Sequence, residues 1–158
     1  MEVILQNFDL VIFLFLLCLG YVAGSIAEKR HYKSILQRED ELLKLPVVTA
    51  EARFSDGRVQ KAELVTGSAV ISIDYFKRLL AILRNIFGGR VGAYETLVDR
   101  ARREAILRMK QAARDQGAGM IVNMRLETAA IGNNANGKRQ IASVEAIAYG
   151  TAIVFNPK

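Results

Sequence analysis

The chain is short of the residues that carry soft-metal and nucleophilic chemistry: its 158 residues include one cysteine, Cys18, and one histidine, His31. A lone cysteine forms no intrachain disulfide, and Cys18 sits in an apolar run, so it neither supports nor requires an oxidising compartment. A structural zinc site commonly takes about four thiolate or imidazole ligands, so a single copy of this chain cannot supply one. After Pro46 there is no histidine, no cysteine and no Gly-x-Ser-x-Gly elbow, which removes the familiar pairings of nucleophile and base. An enzyme would have to rely on Asp, Glu, Arg and Tyr, with Arg90, Tyr94 and Glu95 as the nearest cluster. The expectation is a non-catalytic protein without a cofactor.

Basic residues are also missing where a secretory signal needs them. MEVILQNFD carries Glu2 and Asp9 but no lysine or arginine, which argues against a cleaved signal despite the small residues from Ala23 to Ala27. Cys18 follows Leu17 rather than a small residue, which argues against a lipoprotein anchor. The net charge of +6 is dispersed among acids and lacks an aromatic-rich basic patch, so nucleic acid is not an expected partner.

What is present begins with a long apolar run. Leu10 to Ala27 contains no charge, and as a helix it would reach about 27 Å, close to the hydrocarbon thickness of a bilayer. Apolar on every side at this length, it suits lipid better than a protein core. The predicted organisation is a short extracytoplasmic segment at 1–9, a single transmembrane helix at 10–27, a stalk helix at 28–45 and a folded domain at 46–158. Lys29, Arg30, Lys33 and Arg38 follow the span, opposed nearby only by Glu28, and basic flanks stay on the cytoplasmic side. The predicted location is therefore the inner (cytoplasmic) membrane, single-pass, with the folded domain in the cytoplasm. Lys29, Arg30 and Lys33 are the candidate lipid-headgroup contacts. Gly20 and Gly24 form a small-xxx-small pair through which spans can approach one another. Polar lining for a pore is limited to Cys18 and Ser25, so a bundle of such spans would resist wetting.

In the stalk, Tyr32, Ile35, Leu36, Leu42 and Leu43 recur at helical intervals and predict a stripe suited to pairing with other copies; Pro46 ends the helix. His31 is expected to lie exposed at the headgroup boundary. Beyond Pro46, VVTAEARF and RVQKAELVTGSAVI predict strands of a hairpin around Ser55-Asp56-Gly57. Asp74 is placed to cap a helix running to Phe87, and a second helix is expected from about Tyr94 to Gln116. The stripe of that second helix, Leu97, Val98, Ala101, Ala105, Met109 and Ala112, is rich in alanine and implies close approach to another element. MIVNMRLET and QIASVEAIAYGTAIVF predict two more strands joined by GNNANGK. The fold class is α+β, a mostly antiparallel sheet packed on two helices. In the last strand Val144, Ala146, Ala148, Gly150 and Ala152 form a small face for the helix. Ile147, Tyr149 and Ile153 mark the opposite, larger face, which the monomer leaves uncovered and which points to another subunit.

VTG at Val65, IFGGRVGAYE at 86–95, AR-x-EA at Ala101 to Ala105, GAGMIV at Gly117 to Val122 and AYGTA at Ala148 to Ala152 together resemble the YbjQ-like family, which carries a heavy-metal-binding label. The resemblance covers about the last hundred residues. It implies an α+β subunit that assembles into a homopentameric ring, sheets inward and helices outward, and it implies no established activity. Where members tend to have Gly-x-Asn before the first helix, this chain has Ile71-Ser72-Ile73, so whatever that asparagine contributes does not carry over. The label points to metal, for which the residues offer five copies of His31 gathered by symmetry, or a hard cation on Glu127 or Glu145. The motif loop Gly88, Gly89, Arg90, Gly92, Tyr94, Glu95 follows a helix and lacks the spacing of a phosphate loop; it reads as a turn or subunit contact. The expected role is a membrane-anchored scaffold or binding platform, with metal binding and, further off, a pore as alternatives.

Overall fold

The computed structural model of the chain describes residues 8–49, 58–72, 93–133 and 140–157. The helix expected over 74–87, the turn at 55–57 and the glycines at 88, 89 and 92 lie outside the described residues. The described elements are α1 (Phe8–Glu41), β1 (Val59–Ser72), α2 (Ala93–Asp115), β2 (Met120–Asn133) and β3 (Gln140–Phe155). The strands form one antiparallel sheet in the order β1-β3-β2. One face of the sheet carries α2, and the far side of α2 carries the C-terminal part of α1.

α2 seats on the sheet through its smallest side chains. Leu97, Ala101, Ala105, Met109 and Ala113, spaced four apart, are buried with Val65, Ala69, Val144, Ala146, Ala148 and Ala152. The alanines matter because they let the helix backbone descend onto β1. At Gly67 a Cβ would lie 2.2 Å from the Ala105 carbonyl oxygen and 2.3 Å from the Met109 nitrogen. The helix ends in a Schellman arrangement: Gly117 has φ +74°, Ala118 N–H donates to the Ala113 carbonyl at 3.0 Å and Gly117 N–H to that of Arg114 at 2.9 Å. This is the stop expected from Gly117-Ala118-Gly119.

Three expectations are corrected. The stalk helix ends at Glu41, not Leu45; Leu42 to Lys44 turn the chain before Pro46, whose ring disfavours helical backbone at the preceding residue. Val47 and Val48 do not begin a hairpin with β1. They pair in parallel with β2, at the opposite edge of the sheet: Val48 N–H donates to the Ile121 carbonyl at 3.0 Å, and Ile121 N–H to that of Pro46 at 2.9 Å. β2 is also not a plain alternating strand. Asn123 takes a positive φ of 51°, and Asn123 and Met124 together oppose the single residue Gly150. This bulge changes the parity of the strand, so that Ile121 and Leu126 both reach the helix side.

The other face of the sheet matches the sequence expectation only in part: Ile147 is exposed, but Tyr149 is half-buried and Ile153, also expected to be uncovered, is buried at the end of β3. Leu64, Val70, Ile131 and Ile147 share it by register and stand exposed, Leu64 at 69% and Val70 at 56%. α1 is one unbroken helix about 51 Å long. It is long and apolar enough to cross a membrane, and none of the 18-residue apolar window within it is buried against the fold.

Candidate functional site

The densest chemistry among the described residues lies where α1 crosses α2. Here two helices meet through few apolar contacts, Ile35 and Leu42 against Leu107, and many charged ones. Glu104 is the centre. It is 4% exposed, which isolates a carboxylate from water and requires strong partners. Arg38 supplies both guanidinium ends, its Nη1 donating to Oε1 at 3.2 Å and its Nη2 to Oε2. Arg108 Nε donates to Oε1 at 2.9 Å, while its Nη1 donates to the Ser68 carbonyl of β1 at 2.8 Å. One carboxylate thus ties stalk, helix and sheet together.

Two flanking contacts extend this bracket. Toward the end of α1, Arg103 forks onto Glu39, Nε to Oε1 at 2.8 Å and Nη2 to Oε2 at 2.5 Å. Toward the apolar run, the Arg100 guanidinium lies 5.3 Å from the Tyr32 ring centroid and 3.8 Å from Glu28. Its Nη2 lies 3.2 Å from Nδ1 of His31, and His31 Nε2 lies 3.7 Å from Glu104.

The electrostatics follow from this crowding. Burial pushes Glu104 toward the neutral acid, but the hydrogen bonds from Arg38 and Arg108 outweigh it and hold the carboxyl below its ordinary range. The hydrogen bond from Arg103 lowers Glu39 in the same sense. His31 is pushed below its ordinary 6.5, first by burial and then by Arg100, with Arg38 and Arg108 adding to it against Glu104. A proton on Nδ1 would also forfeit the bond from Arg100. His31 is therefore held neutral, and the unfolded chain binds its proton more readily than the folded one. Stability is fully present above pH 6.5 and falls as pH drops from there through the folded value. Thermal melts taken from pH 7.5 downward should show this loss in the native chain and lack its first phase in His31→Gln. Identical profiles would contradict the assignment.

The residues expected to form a site are distributed differently. His31 is not an exposed headgroup residue; it packs on α2, because the stalk turns that side toward Arg100 and Glu104. The stripe expected to pair copies is used within the chain, Ile35 and Leu42 being buried while Leu36 and Leu43 remain exposed. Lys29, Arg30 and Lys33 are exposed on α1, and Gly20 and Gly24 are half-buried. Tyr94 and Glu95 belong to the first turn of α2, with Glu95 exposed at the helix start. Gly88, Gly89, Arg90 and Gly92 lie outside the described residues. Glu127 and Glu145 stand on the open sheet face, opposite Ile147 and Ala129. The sequence expectations do not include the bracket, yet the sequence carries a signal of it: Arg100, Arg103, Glu104 and Leu107 recur three and four apart beside the alanine stripe, and Glu104 lies inside AR-x-EA.

A family profile described as "Putative heavy-metal-binding" matches residues 46–156. The chain belongs to this YbjQ-like family. A UPF0145 protein of Hahella chejuensis is 38% identical over 97 residues, covering 61% of this chain and 86% of that protein. A UPF0145 protein of Pyrococcus abyssi is 32% identical over 110 residues, covering 69% and 90%. A crystal structure of a DUF74-family protein of unknown function from Pediococcus pentosaceus aligns with a TM-score of 0.41 at 17% identity, covering 71% of this chain and 98% of that one. The family match begins at Pro46, so the α2 half of the bracket lies inside it and the α1 half outside.

Among the described residues, the donor set does not fit the metal in that description. Cys18 and His31 are thirteen positions apart on one continuous helix, about 20 Å, too far to share an ion. His31 already accepts from Arg100 and is ringed by the guanidinium groups of Arg38, Arg100 and Arg108, which repel a cation. Among the described residues no group of three His, Cys, Asp or Glu side chains could hold a metal.

Proposed function

We propose that this YbjQ-like chain is a membrane-anchored, self-associating binding platform that performs no catalysis, its folded domain carried on the cytoplasmic face at a set angle to the bilayer. One observation carries the reading: α1 is a single helix, apolar and unburied along its start and clamped to the domain by Arg38, Glu104, Glu39 and Arg103 at its end. Exposed apolar side chains along a whole helix are costly in water, and a bilayer removes that cost at about 25 cal/mol per Å². A flexible linker would leave the domain free to tumble; a continuous helix with an ionic clamp transmits orientation. The basic residues after the apolar run favour a cytoplasmic domain.

Self-association is supported by the open sheet face, where Leu64, Val70, Ile131 and Ile147 form an apolar surface of the kind that another copy covers. A ring of five is what the family resemblance suggests. Soft-metal binding is disfavoured by the donor set, and a pore by the scarcity of polar side chains along the apolar part of α1.

The test is fractionation followed by native mass spectrometry. Full-length protein should stay in the membrane pellet after alkaline carbonate, and a chain lacking residues 1–27 should not. Detergent-extracted protein should fly as a closed oligomer of one size. A soluble, monomeric full-length chain would end the proposal.

A further inference from the structure

This inference rests on the membrane-anchored reading and names the lipid that the stalk meets. A helix advances about 100° per residue, so the residues that touch α2 define one side of α1. Glu28, His31, Ile35, Arg38, Glu39 and Leu42 all meet α2, and all fall within about 60° of the line through Ile35. Lys29, Arg30 and Lys33 fall within about 60° of the opposite line.

That segregation sets the three cations apart from the acids that meet α2. All are exposed, and no ion pair among the described residues involves them. Glu28, the acid beside them, turns to the other side and faces Arg100. Three positive side chains therefore stand within about 6 Å of helix rise, directly after an apolar stretch none of which is buried. In that stretch Gly20 and Gly24 fall on the Ile35 side, so close contact between spans through them would turn the cations outward to lipid.

We infer that Lys29, Arg30 and Lys33 form a binding face for anionic phospholipid headgroups, on the side of the stalk opposite the domain. Long ammonium and guanidinium side chains beside an apolar helix reach the phosphate layer while their stems stay in the acyl region. A zwitterionic headgroup brings its own cation and repels them; a phosphatidylglycerol headgroup does not. The domain, clamped on the other side, stays clear of the lipid that the stalk selects.

Native mass spectrometry of the full-length protein in detergent with equal phosphatidylglycerol and phosphatidylcholine tests this. The native chain should retain the anionic lipid over the zwitterionic one, roughly fivefold for each cation engaged. K29Q/R30Q/K33Q should bind the two equally, while R58Q/R102Q/R114Q, with the same change of charge elsewhere, should keep the preference. A native chain with no preference, or a stalk variant that keeps it, overturns the inference and leaves the anchor standing. A full-length chain that stays soluble and binds neither lipid overturns both.

Discussion

Gly67→Ala is expected to destabilise the domain by about 3 kcal/mol, the upper end of the usual cost of overpacking. The added methyl would meet the Ala105 carbonyl oxygen at 2.2 Å and the Met109 nitrogen at 2.3 Å. Both are backbone atoms of α2, so no side chain can rotate away, and the helix must rise from the sheet along its whole alanine face. Raising it would loosen the packing of Ala101, Ala105 and Met109 on Val65, Ala146 and Ala148 together. The midpoint of circular dichroism melts should fall by about 10 °C. Gly119→Ala is the internal comparison. There the nearest atoms belong to the Phe155 ring, at 2.8 Å, and a ring at the end of a side chain can move. Its melt should stay within a few degrees of the native chain. Equal losses at the two positions would mean that the close approach of α2 to β1 is not what holds the layers together.

Glu104→Leu carries the second large effect, about 2–3 kcal/mol. Breaking a fully buried ionic contact from one side costs roughly 3–5 kcal/mol. The lower figure applies because the Arg38 and Arg108 side chains are 32% and 56% exposed and recover some water. The loss comes less from attraction forgone than from guanidinium groups left beside one another with no carboxylate between them. Arg38→Met in the Glu104→Leu background should therefore cost little further, and less than Arg38→Met alone. Thermal unfolding of the four proteins gives the coupling directly. Strict additivity would show that Arg38 and Glu104 do not act as a pair. Glu104 also adds to the acid sensitivity assigned to His31: its depressed carboxyl contributes stability above its ordinary value of 4.5 that is lost as pH falls through the folded value.

How far the fold could be read in advance depended on the range of the interaction involved. β3 was legible to its ends because alternation is local: Val144, Ala146, Ala148, Gly150 and Ala152 announce their face by being small. α2 was legible within a residue at each end, since Gly117 marks its stop and the alanines mark its buried side. The bulge at Asn123 was not, because it lies opposite Gly150 on another strand, where a Cβ would lie 2.9 Å from Ile121 Cγ2. Nor was the pairing of Val47 and Val48 with β2, since a short apolar run beside a turn signal looks the same whichever edge of the sheet receives it. The stalk shows the division most clearly. Its helical period was visible, but the partner of that period was not, and a stripe that fits a copy of itself also fits α2.

From residues alone came the inventory and the local periods: a charge-free run at the start, one cysteine and one histidine that cannot share a metal, two small-residue faces, and an apolar sheet surface. These follow from composition and spacing, which do not depend on what lies elsewhere in the chain. Tertiary structure alone decided that Glu104 is the hub of the molecule. Its partner Arg38 is 66 residues away, as Arg100 is 69 residues from His31 and Arg103 is 64 from Glu39. A charge on a helix surface has no preferred partner until folding removes water from between two such surfaces, and only then does a short-range contact become strong enough to set the angle between an apolar helix and the domain it carries.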